Sequence, residues 1–150
     1  MLNATLSKFG YPESLIKTYD YWHVLLRPGQ VTIGSLVLIC KEDVYQYADI
    51  SEEAAREQKQ VIADIERILK KRFNFSKINY LMLMMVDPHV HFHVIPRYEG
   101  SRSAAGLTIR DAGWPGQPDL GSAIKLDSEL DRVRDMLKVH FDNEMSALKD

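Results

Sequence analysis

His89-Val90-His91-Phe92-His93-Val94-Ile95 sets three imidazoles at alternate positions of an apolar run. In an extended strand, residues i, i+2 and i+4 share a face at roughly 7 Å per pair. The three rings then line one surface, while Val90, Phe92 and Val94 pack the other. The chain has five histidines, so most of them fall in this pentapeptide. A strand that only covered a core would not carry three groups whose ordinary pKa, about 6.5, puts their charge in play near neutrality. A metal site, a nucleophilic or acid-base centre and an anion site are all open at this point. Zinc wants ligands that converge on one point. Rings spaced along a strand converge poorly, there is no nearby cysteine, and Asp87 is the one close carboxylate. Imidazole is also a nucleophile toward phosphorus, and flanking imidazoles can donate hydrogen bonds to phosphate oxygens.

Upstream, residues 78–86 read as a further strand, and Asp87-Pro88 separates it from the histidine strand, which predicts an antiparallel hairpin. Met82, Met84 and Met85 are expected in the core, where methionine fills irregular gaps. Ser51 followed by Glu52 and Glu53 is a helix start, with a capping hydroxyl and acids at the positive end of the dipole. Val61, Ile65, Ile68, Leu69 and Phe73 then recur at three or four residues, so this long helix should lie across the sheet. Residues 15–20 and 22–27 read as a strand pair, Pro28-Gly29 interrupts the pattern, and 34–40 resumes as a strand.

Downstream, residues 97–125 are rich in glycine and carry little periodicity, a connection long enough to suggest a purpose, and covering the active site is the expected one. A second amphipathic helix is expected from Ser128, spaced to Asp131 as in a capping box, through Leu130, Val133, Leu137 and Phe141, with His140 structural. About five antiparallel strands, a long central helix and a C-terminal helix define an α+β fold, expected as a single domain over residues 1–150.

A hydrophobic content of 45% over 150 residues is enough for a real core, and a formal net charge of -2 argues against a nucleic-acid partner or a membrane-surface sheath. No run suggests a leader or a membrane span. Cys40 is the single cysteine. It is read as a buried strand residue in a reducing compartment, which makes a cytoplasmic location the expectation.

The pattern His-x-His-x-His-x-x with apolar x, carried by His89 to Ile95, resembles the histidine triad (HIT) family of nucleotide hydrolases and transferases. Pro96-Arg97-Tyr98 and Ile78-Asn79-Tyr80 are similar to the flanks of bacterial members, among them diadenosine polyphosphate hydrolase-like HIT proteins. Arg27-Pro28-Gly29-Gln30-Val31-Thr32-Ile33-Gly34-Ser35-Leu36-Val37-Leu38 is similar to the turn and strand before the family's long helix. The resemblance implies a five-stranded antiparallel sheet with helices packed on it, doubled into a continuous sheet in a homodimer. It also implies that His91 attacks the α-phosphorus of a nucleoside polyphosphate or phosphoramidate to form a nucleotidyl-histidine intermediate. His93 then donates to a non-bridging oxygen, and His89 serves the leaving side or supports the neighbouring ring. No cofactor and no metal ligand set are required, although magnesium can arrive bound to the anionic substrate.

Three positions depart from the family pattern. Ser35 stands where many members carry a histidine. Met84-Met85-Val86-Asp87-Pro88 replaces a stretch that often offers an amide or hydroxyl to phosphate. Arg27 occupies the place of a polar residue that contacts ribose or base. Arg27, Ser35, Arg97 and Trp114 are the candidate substrate contacts, with Arg102, Arg110 and Gln117 as further residues of the long connection. Arginine forks and an indole can supply the missing phosphate and base contacts. The alternative reading, favoured by the departures and opposed by the intact triad, is a non-catalytic nucleotide-binding regulatory protein of the same fold.

Overall fold

Runs of apolar and β-branched residues pair into one antiparallel sheet of β1 (Leu15–Thr18), β2 (Trp22–Leu26), β4 (Leu36–Cys40), β6 (His91–Arg97) and β5 (Lys77–Leu81), in that spatial order. The short β3 (Gly29–Gln30) lies between β2 and β4 in the chain. The computed structural model describes residues 3–149, with side chains through Asn143. Its α-helices are α1 (Ala4–Lys8), α2 (Glu52–Phe73) and α3 (Leu130–Lys149).

Strand alternation sorts the sheet into two faces. Trp22, Val24, Leu26, Leu36, Leu38, Phe92 and Val94 join Val61, Ile65, Ile68 and Leu69 of α2 and Val133, Leu137 and Phe141 of α3 in the main core. The opposite face carries a smaller cluster, Leu25, Val37 and Ile39 of the sheet under Leu6 and Phe9 of the N-terminal segment. The register sets His23 beside Ile39 and Ile39 beside His91, with Leu25, Val37 and His93 forming the next row. His91 and His93 therefore emerge on the face that the long helices leave uncovered.

The start of α2 follows its sequence signals. Ser51 Oγ accepts from Ala54 N–H at 3.0 Å, Glu52 and Glu53 fill the first turn, and Lys70, Lys71 and Arg72 the last. Asn74 closes it in the left-handed region at φ 51°. Gly34, at φ +89°, turns the chain into β4 against this helix end, and a Cβ there would lie 2.9 Å from Phe73 Cε2. No helix among the described residues is long and apolar enough to cross a membrane.

Four expectations need correction. The strand expected over 78–86 stops at Leu81, because Met84 turns left-handed at φ 53° and residues 82–90 leave the ladder. Met82 and Met84 still pack against the core, but Met85 is 84% exposed. Residues 97–125 are a structured segment: β7 (Ser101–Ala104) and β8 (Leu107–Arg110) form a hairpin, and β9 (Ile124–Lys125) pairs with β3. Ala104 and Ile109 of that hairpin are buried in the helix-side core. The C-terminal helix begins at Leu130, and Glu129 rather than Ser128 takes a backbone N–H there, that of Asp127 at 3.1 Å.

Candidate active site

The three histidines do not form one straight row. His91 and His93 stand on β6, whereas His89 precedes the strand. Both backbone groups of Val90 explain the break: its carbonyl accepts from Cys40 N–H at 3.0 Å, while its N–H donates to the Val44 carbonyl at 3.1 Å. The chain thus enters β6 across β4 and the segment that follows β4, and Pro88 has no N–H with which to extend the ladder backward.

Each ring is held by hydrogen bonds to its neighbours. His91 Nδ1 donates to the His89 carbonyl at 2.7 Å, so Nε2 carries the lone pair. Arg27 Nε donates to His93 Nδ1 at 3.2 Å, which puts the His93 proton on Nε2. Thr5 Oγ1 accepts from His89 N–H at 3.3 Å and lies within hydrogen-bonding distance of His89 Nδ1, at 3.2 Å. His89 Nε2 donates to Asp43 Oδ1 at 3.2 Å. The rings of His91 and His93 meet edge to face at 5.2 Å. Phe9 packs on both, with centroids 5.7 Å from His91 and 5.5 Å from His93.

Burial dominates the electrostatics. His93 is held down to about pKa 4, first by burial, then by the Arg27 guanidinium and by His91. His23 is lowered as well, by burial and then by Lys41. Its Nδ1 lies 3.0 Å from Thr18 Oγ1 and its ring packs on Tyr11. Two cavities open on this face beside α1. One, of about 600 Å³, is lined by Asn3, His23, Lys41, Asp43, Tyr45 and His89. The other, of about 300 Å³, lies by Phe9 and Arg27. A neutral imidazole with a free Nε2, next to a second imidazole presenting an N–H, is suited to nucleophilic attack on a phosphorus whose oxygens need donors. Among the described residues, no group of three or more histidine, cysteine or acidic side chains is arranged to hold a metal ion.

Of the expected substrate contacts, the structure brings only Arg27 to the histidines. Ser35 is fully buried and builds the preceding turn: its Oγ donates to the Thr32 carbonyl at 2.8 Å and accepts from Thr32 N–H at 3.1 Å. Gln30 locks the same turn, donating to the Arg27 and Ser35 carbonyls at 2.6 and 2.9 Å and accepting from Gly34 N–H at 2.9 Å. Arg97 is committed to Asp111 through Nε and Nη2, at 2.8 and 3.0 Å, and to Asn79 at 2.8 Å. Trp114 lines a separate groove with Asn79, Leu81 and Arg97 along β5. The middle of the connection therefore lies away from the triad, and only its end, at Ala123 and Lys125, reaches the cavity beside Arg27. The triad's cover comes from Thr5, Leu6 and Phe9, residues without a sequence signal beyond Asn3, which caps α1 by accepting from Leu6 N–H at 2.7 Å.

The HIT domain model matches residues 14–100. Among solved structures, the chain is similar to a histidine triad (HIT) protein from Sinorhizobium meliloti 1021, at 21% identity and TM-score 0.72, covering 95% of each chain. It is also similar to a histidine triad protein from Bradyrhizobium japonicum, at 21% identity and TM-score 0.71, with 94% of this chain and 97% of that one covered. A Zn-bound histidine triad family protein from Mycobacterium smegmatis matches at 17% identity and TM-score 0.63, over 96% of this chain and 94% of that one. These likenesses establish the fold. No curated protein matches the chain.

Proposed function

Because the chain belongs to the HIT domain family, we propose that it is a nucleotide hydrolase or nucleotidyl transferase acting at the α-phosphate of a nucleoside polyphosphate, diadenosine polyphosphates included, or of a nucleoside phosphoramidate. The observation that supports this most directly is the 2.7 Å hydrogen bond from His91 Nδ1 to the His89 carbonyl. It leaves Nε2 as the nucleophilic nitrogen and stabilises the positive charge that the ring acquires on attack. A P–N bond forms between Nε2 and the α-phosphorus as the bond to the leaving group breaks. A polyphosphate leaves as its own anion, whereas an amine leaves after taking a proton. His93 Nε2–H donates to a non-bridging oxygen, and its depressed basicity keeps it neutral at pH 7. His89, tied to Thr5 and Asp43, holds the carbonyl that orients His91. Water then attacks phosphorus, the P–N bond breaks, and the nucleoside monophosphate and a proton are released.

His91→Ala is expected to lower single-turnover release of nucleotide by about three orders of magnitude or more while nucleotide binding persists. Labelled nucleotide should stay on the wild-type protein through an alkaline quench and leave in acid, as a P–N bond does. Near wild-type turnover by the variant would refute the nucleophile. Binding without turnover by the wild type, across dinucleoside polyphosphates and adenosine phosphoramidates, would favour the non-catalytic alternative. The homodimer implied by the family would extend the sheet from an edge strand, β1 or β5, and sedimentation velocity reads it.

A further inference from the structure

Arg27 is a half-buried cation with no carboxylate partner among the described residues. Its Nε is spent on His93 and its Nη1 on the Gly29 carbonyl, which leaves Nη2 without a protein acceptor among the described contacts. Burying a guanidinium without a counter-charge is costly, so such a group is ordinarily paired. The surroundings make room for a partner. The cavity of about 300 Å³ beside Arg27 is lined by Lys8, Phe9, Gly29, Ala123 and Lys125, with no acidic residue in its wall. The pairing of β3 with β9 sets Lys125 opposite Gly29. Lys125 has no ion-pair partner among the described residues, and the one that Lys8 has is Asp87, 3.9 Å away. Gly29 is part of the construction, since a Cβ there would lie 3.0 Å from Arg27 Nη1.

We propose that Arg27, Lys125 and Lys8 form an anion subsite beside His93 that takes a phosphate of the substrate other than the one attacked. The substrate class is then a nucleotide bearing at least two phosphate groups. Guanidinium and ammonium groups only donate, which suits acceptor-only phosphate oxygens, and Phe9 shields the contact from water. Gln30, by fixing the Arg27 carbonyl, keeps the fork aimed at His93. The inference rests on the nucleotide reading given above, and its test does not depend on turnover.

Equilibrium titrations with AMP, ADP, adenosine 3′,5′-bisphosphate and pyrophosphate, on wild type, Lys125→Ala and Arg27→Met, decide the matter. In the wild type, ADP or the bisphosphate should bind about tenfold or more tighter than AMP, the size of a charge-assisted contact. Whichever of the two gains shows whether the second phosphate belongs to the 5′ chain or to the ribose. Lys125→Ala, an exposed change that leaves the fold intact, should reduce that ratio severalfold. Arg27→Met should abolish it, leaving ADP and the bisphosphate no tighter than AMP. Equal affinity for one and two phosphates in the wild type, or a preference that survives both substitutions, overturns the subsite. If no nucleotide binds, the proposed function fails on its own; pyrophosphate binding that is lost in Arg27→Met would then still support the subsite, and its absence from the wild type would overturn it.

Discussion

The Arg27 N–H aimed at His93 Nδ1 makes His93 a donor toward the site and also a poor base. Protonating that nitrogen would displace the arginine and bring a second positive charge into a buried position. With its pKa held at about 4 in the folded protein and near 6.5 in the unfolded chain, the unfolded state binds the extra proton first as the medium is acidified. The stabilisation is therefore fully present above about pH 6.5 and is lost as pH falls through about 4. The difference corresponds to about 3 kcal/mol. Urea unfolding across this range should show His93→Gln with a flatter acid limb than the wild type. Identical limbs would mean that His93 titrates normally. His23, lowered in the same direction by burial, contributes a residual slope that the substitution leaves in place.

Among the elements, α1 was the least legible and has the most influence on the site. Five residues make little more than one helical turn, too short for periodicity to show. Phe9, just past its end, nevertheless sits on both β6 imidazoles, and His91 is only 2% exposed. The histidine spacing did reveal β6 and its outward face, and the Ser51 cap with the Val61 to Phe73 stripe revealed α2, because each is a local pattern that packing reinforces. What the pattern missed at His89 is a tertiary effect: Val90 pairs with Cys40 and Val44, residues about fifty positions earlier. The extended reading through Val86 failed in a related way, since nothing in a methionine-rich run announces the left-handed Met84. Phe9→Ala should lower stability by about 3 kcal/mol, as for other buried aromatics, and should speed carbethoxylation of His91 by diethyl pyrocarbonate. Unchanged reactivity would show that the ring does not limit access to His91.

At the scale of the whole molecule, the sheet divides its labour between faces. The helix side holds the large core, and the histidine side is left with a small apolar cluster and the three imidazoles. Arg97 shows which part of the candidate site a sequence leaves open. Strand parity puts it on the histidine face, but six residues along β6 separate it from His91, roughly 20 Å. There it joins Asp111, and both side chains are almost fully buried. Asp111 also accepts from Tyr98 N–H at 3.0 Å, so one carboxylate fastens the end of β6 to the segment after β8. An arginine in a glycine-rich flank looks the same in sequence whether it awaits a phosphate or a distant aspartate. The two roles separate on mutation. Asp111→Ala strands a buried guanidinium and should cost about 3–5 kcal/mol of unfolding free energy, while nucleotide affinity, measured by titration at a temperature where the variant is fully folded, stays within about threefold of wild type, the size of an indirect perturbation. A large loss of affinity with little loss of stability would instead restore Arg97 to the substrate site.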